Sequence, residues 1–150
     1  MTDGWSLVIL KEIFLSNRRF DGLQTQTGMS PRSLTLRLNT LIEEGILSRV
    51  AYQQSPTRYE YLPSTKGMEL WPVIVALKEW GDKWCGPWNE KEPPLILHHK
   101  GHDHRLELDF VCKTCRKPVD AYASSTTMTP GMREERDHFT RKHQKTARAK

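Results

Sequence analysis

The chain has 150 residues, 27% of them charged and 37% hydrophobic, which suits one soluble domain with a core and an appendage. No apolar run approaches the about 20 residues of a membrane-spanning helix. The net charge is +5, but residues 1–92 carry eleven basic and eleven acidic side chains and residues 93–150 carry twelve and seven, so bulk basicity does not mark the first two thirds as nucleic-acid binding.

Ser6 to Leu15 reads as a helix that is apolar nearly all round. Leu7, Leu10 and Phe14 form one stripe, and Val8, Ile9, Ile13 and Leu15 fill the others. Such a helix needs cover on more than one side, and a core plus a dimer partner would supply it. Lys11 and Glu12 interrupt the segment and no small-residue cleavage site follows, so it is not read as a signal peptide. A short helix opens at Asn17-Arg18-Arg19-Phe20. Phe20 and Leu23 share its face, and Gly28 supplies a turn at its end.

The third helix starts at Ser30, an N-cap residue followed by Pro31 at the first helical position, and Gly45 ends it. At about 100° per residue, Leu34, Leu38, Leu41 and Ile42 fall on one face, the core side. The opposite side carries Arg32, Ser33, Leu36, Asn39 and Thr40, flanked by Thr35 and Arg37. Two short strands follow, Ile46–Gln53 and Thr57–Leu62, rich in β-branched and aromatic residues and joined by an exposed turn.

Ser64 or Thr65 caps the next helical region, and Pro72 predicts a kink or restart within it. Beyond Pro72, Val73, Leu77, Trp80 and Trp84 recur at three-to-four spacing. This aromatic stripe suits a dimer interface, the alternative being a stripe packed on its own domain. Residues 86–94 read as a linker. Residues 95–124 alternate like a hairpin, with Leu106, Leu108 and Phe110 on one side. Residues 125–150 read as a basic, partly disordered tail, the last fifteen, weakly apolar, being either a frayed helix or disordered.

The order helix, short helix, turn, helix, two-stranded ribbon is that of a winged helix-turn-helix within an α+β chain, residues 1–85. In such a unit the N-terminal half of the second helix enters the major groove. Arg32, Ser33 and Arg37 can donate to phosphates or bases, with Thr35 beside them; Leu36 could meet a thymine methyl, although a lone exposed leucine is ordinary and is the plainer reading. The helix N-terminus at Ser30 faces the phosphates with its positive dipole end, while Glu43 and Glu44 lie at the far end. Arg58 in the ribbon turn would reach the minor groove or backbone, and Arg18 and Arg19 could clamp phosphates. A solvated face with local ion pairs is the plainer alternative for each arginine.

The segments NRRFDGLQ, SPRSLTLRLNTLIEEGILSRVAY, PTRYEY and KGMELWPVIVALKEWGDKW resemble the HxlR-type transcriptional regulators, winged-helix relatives of the MarR group, over about Trp5 to Trp84. The resemblance implies a homodimeric, sequence-specific DNA-binding regulator, usually acting at a promoter. The leading expectation is a cytoplasmic, non-enzymatic regulator, a repressor, on an operator of double-stranded DNA with two half-sites about one helical turn apart. Ser30 to Arg37 match the family's recognition helix and Tyr52 to Tyr61 its wing. The expected dimer surfaces are the Ser6–Leu15 and Trp71–Trp84 helices. Family members usually carry a further helix before the tryptophan matched by Trp5; it is not expected here, and neither is the reactive cysteine it bears in thiol-sensing members. Pro63 and Ser64 stand where the family prefers leucine and threonine.

Cys85, Cys112 and Cys115 are the three cysteines, an odd and sparse set that suits a reducing cytoplasm. His99, His102, Cys112 and Cys115 form two pairs, each with two intervening residues. This spacing could close a tetrahedral zinc site across a zinc-ribbon-like hairpin. His98 and His104 are rival ligands, and a metal-free hairpin is the alternative. Longer HxlR-type members resemble this region, with a cysteine where His102 stands. A zinc-stapled protein-interaction module that keeps the winged fold without an operator is the competing reading. A metalloenzyme is disfavoured, because four ligands would fill the position a catalytic zinc keeps open, and no P-loop, dinucleotide glycine motif or serine elbow occurs.

Overall fold

The computed structural model describes residues 4–86, 88 and 92–148, with side chains as far as Arg141. Two compact units divide between Leu108 and Asp109. In the first, α1 spans Gly4–Phe14, α2 Phe20–Thr27 and α3 Pro31–Glu43. The antiparallel strands β1 (Leu47–Gln54) and β2 (Thr57–Pro63) follow, then α4 (Thr65–Met68) and α5 (Trp71–Trp84). This is the expected winged helix-turn-helix. Among the described residues, no helix is long and apolar enough to cross a membrane.

The core forms where the leucine stripe of α3 meets α1 and α2. Ile9, Leu10, Ile13, Leu23, Leu34, Leu38 and Leu41 are almost wholly buried, and Ile46, Leu47, Tyr61 and Ile74 close the cluster. Each such aliphatic side chain contributes about 1.5–3 kcal/mol by leaving water. The turn after α1 is held by a buried carboxylate: Asn17 Nδ2 donates to Glu12 Oε2 at 3.2 Å, and Lys11 Nζ lies 3.0 Å from Glu12 Oε1. Gly28 (φ 66°) ends α2 in the left-handed conformation. Gly67 is required by close approach, since a Cβ there would lie 2.2 Å from the Ile46 carbonyl oxygen.

The wing has a third, very short partner. Tyr61 N–H donates to the Arg18 carbonyl at 2.8 Å and Arg19 bridges Glu60, so the segment before α2 lies along β2. Register runs from Leu47 opposite Pro63 to Gln54 opposite Thr57, with an irregularity between Ala51 and Gln53. Pro63 is the last residue of β2. Ser64 Oγ donates to the Gly45 carbonyl and accepts from Gly67 N–H at 3.1 Å, which caps α4. α5 begins afresh at Trp71 with Pro72 in its first turn, the restart the sequence predicts.

Of the expected linker over 86–94, residues 87 and 89–91 lie outside the described residues. The expected extension over 95–124 is divided between the units. Residues up to Leu108 belong to the first because Leu108 N–H donates to Glu79 Oε1 on α5 at 3.0 Å, and Arg105 pairs with Glu92 at 2.9 Å. The hairpin takes the form of two bridged turns, one pairing His98 with Arg105 and the other Val111 with Pro118. In the second unit, helix α6 spans Pro130–Arg148, a stretch for which sequence alone leaves both a frayed helix and a disordered tail open. Thr129 Oγ1 accepts from Met132 N–H, Pro130 suits a first-turn position, and the Glu, Arg, Lys, Gln and Ala that follow favour helix.

Candidate nucleic-acid interface

Helix α3 separates its two faces sharply. Leu34, Leu38 and Leu41 are buried, whereas Arg32, Ser33, Thr35 and Leu36 are exposed, Leu36 by 60%. The cap positions this outer face. Ser30 Oγ accepts from Ser33 N–H at 3.2 Å and donates to Ser33 Oγ at 2.9 Å. Ser30 is thus engaged in capping, and its contact holds the exposed Ser33 hydroxyl at the start of the helix. Arg37 is half-buried at the edge of the stripe and engaged within the chain. The open surface at the start of α3 is therefore Arg32, Ser33, Thr35 and Leu36.

The other predicted arginines gather between the wing and α2. Arg18, Arg19 and Arg58 line one open depression of about 540 Å³ with Tyr52 and Glu60. Arg19 is not an unengaged clamp: its Nε donates to Glu60 Oε1 at 3.0 Å, and its guanidinium lies 4.4 Å from the Tyr52 ring centre. It ties α2 to the wing as well as lending charge. Arg58 sits just past the ribbon turn and is exposed, as is Arg18. Sequence reasoning passed over Arg49, whose guanidinium lies 4.3 Å over the Tyr59 ring. Its signal was the cross-strand register, which places Arg49 opposite Tyr61. Burial pushes the Tyr61 phenol above its usual range, and the nearby Arg49 charge partly opposes this.

The α5 stripe stays open in the single chain. Val73, Leu77, Trp80 and Trp84 are 51%, 52%, 57% and 65% exposed. Trp5 and Leu15 on α1 are also exposed, and an apolar groove of about 610 Å³ runs between the two helices, lined by Leu7, Val8, Trp71 and Leu77 among others.

The predicted metal ligands fall in different units. In the first, His99 and His102 come together with His104, each offering a ring nitrogen within 4.8 Å of the others. In the second, Cys112 and Cys115 face each other across a turn closed by Arg116 N–H donating to the Cys112 carbonyl at 2.8 Å. Arg116 stands there at φ 58°. Backbone N–H groups of Cys115 and Thr114, and the neighbouring Cys115 thiol, pull the Cys112 thiol below its usual range. Spacing along the chain marks His104 only as a rival ligand; its place opposite His99 follows from the hairpin register.

The profile of the HxlR-like helix-turn-helix family matches residues 1–89. The chain is 33% identical over 129 residues to the uncharacterized HTH-type transcriptional regulator Rv3095 of Mycobacterium tuberculosis, covering 86% of this chain and 80% of that one. It is similar in structure to PA1607, a proposed transcription factor (TM-score 0.67, 27% identity, 85% of this chain and 87% of that one). It is likewise similar to PA1374, a proposed transcription factor from Pseudomonas aeruginosa (TM-score 0.60, 27% identity, 87% and 90%). With the winged fold, the capped α3 and this match in hand, the chain belongs to the HxlR-like helix-turn-helix family.

Proposed function

We propose that the protein is a sequence-specific DNA-binding transcriptional regulator that works as a homodimer and acts as a repressor. The observation that carries this is the exposed start of α3, where Arg32, Ser33, Thr35 and Leu36 stand clear of the core on a helix held rigidly by its buried leucines. Family membership and the regulator names of the relatives support it. Arg32 and Ser33 read base edges or phosphates in the major groove. Arg18 and Arg58 hold the backbone on either side, Arg58 from the wing, with Arg19 braced by Glu60 between them.

The second copy docks on the α5 stripe and the neighbouring α1 face. Three large apolar side chains and a valine repeating along one helix, each more than half exposed, make an apolar surface, with Lys83 Nζ 5.2 Å from the Trp84 ring centre at its end. A two-fold dimer presents two α3 helices to half-sites roughly 34–36 Å apart.

Selection of DNA fragments by the purified chain tests the reading. A recurrent motif with two half-sites is expected, bound with an affinity that falls steeply as salt rises. Arg32→Ala should weaken motif binding by roughly tenfold or more, and random-sequence binding by less. Recovery of fragments with no shared motif would overturn the proposal.

A further inference from the structure

The geometry points to a divalent transition-metal site made by His99, His102 and His104 and complete within the first unit. The hairpin register builds it. Leu106 N–H donates to the Leu97 carbonyl at 2.8 Å and His99 N–H to the His104 carbonyl at 3.2 Å, with His98 opposite Arg105 between them. His99 and His104 are therefore a cross-strand pair on one face, their rings parallel within 4° and 5.5 Å apart. Strand alternation sends His98 to the other face.

The turn delivers the third ligand. His102 N–H donates to the His99 carbonyl at 3.0 Å, and Gly101, at φ 84°, lets the chain reverse. This sets the His102 ring 4.4 Å from that of His99 and 5.5 Å from that of His104. The three donor nitrogens lie within 4.8 Å of one another. A tetrahedral ion with bonds of 2.0–2.1 Å spaces its nitrogens roughly 3.3 Å apart, so small side-chain rotations close the site without moving the backbone.

One ligand is already oriented. His104 Nδ1 lies 2.9 Å from the Arg105 carbonyl oxygen, which can only accept. In the neutral ring Nδ1 therefore holds the proton, and Nε2 keeps its lone pair for the metal. An outer hydrogen bond of this kind fixes the tautomer of metal-bound histidines. Three imidazoles suit zinc, cobalt, nickel or copper better than magnesium or calcium. All three side chains are exposed, so an ion can reach them and a water can take the fourth position. The site asks nothing of Cys112 or Cys115 and does not depend on DNA binding.

Titration of the full-length protein with cobalt(II) tests this. About one ion per chain should bind, with visible ligand-field bands and no thiolate-to-cobalt charge-transfer absorption. His104→Ala should weaken binding by at least roughly tenfold, and His98→Ala and the Cys112→Ser/Cys115→Ser pair should leave it unchanged. Circular dichroism of each variant checks that the winged fold is intact. A strong thiolate band, or loss of binding in the cysteine pair, would overturn the three-histidine site in favour of mixed histidine and cysteine ligation. Binding undiminished by His104→Ala would overturn it as well.

Discussion

Helices α3 and α5 start from the same pattern and end differently. Both carry apolar residues at three-to-four spacing. The α3 stripe is buried within the chain, with Leu34, Leu38 and Leu41 at 1% exposure or less. On α5 only Ile74 and Val75 reach that interior, while Val73, Leu77, Trp80 and Trp84 stay open. Periodicity tells which residues share a face, but not whether the same chain covers it. The difference separates the two helices: α3 buries its apolar face in the core and leaves a polar outer face open, whereas α5 has one face in the core and a second, apolar face that the chain leaves open, the face on which the proposed dimer rests.

Substitutions on the two helices can break this contrast. Leu38→Ala should have the largest effect, lowering unfolding free energy by about 2–5 kcal/mol in chemical denaturation, because the cavity lies at the centre of the core. Trp80→Glu should come next. It should turn the proposed dimer into a monomer by light scattering, a change of about 2 kcal/mol or more in association. A dimer that survives it would put the partner elsewhere, and an unfolded protomer would place Trp80 in the core. Ser30→Ala removes only the cap and should cost about 1 kcal/mol in thermal or denaturant unfolding while leaving association untouched.

The winged core was legible because its signals are local. Ser30-Pro31, Gly45 and the Leu34/Leu38/Leu41 stripe mark α3 within a single stretch of chain, and Pro72 marks the start of α5. The site was legible only in part. Arg32 and Ser33 lie where helix phase alone puts them. Arg19 does not yield to phase, because its partners Glu60 and Tyr52 come from the far side of the ribbon. The pairing of His99 with His104 escaped for a related reason: the two-residue spacing drew attention to His99 and His102, while hydrogen-bond register selects residues that face each other.

Sequence by itself determined which residues turn inward, where helices begin and end, and that an arginine- and hydroxyl-bearing face would stand opposite a leucine face, since each follows from a cap, a glycine or a period of a few residues. Only the tertiary structure decided which arginines are braced, which apolar stripe is left uncovered and which histidines converge. Those outcomes depend on contacts between residues distant in the chain, and no local pattern encodes such a distance.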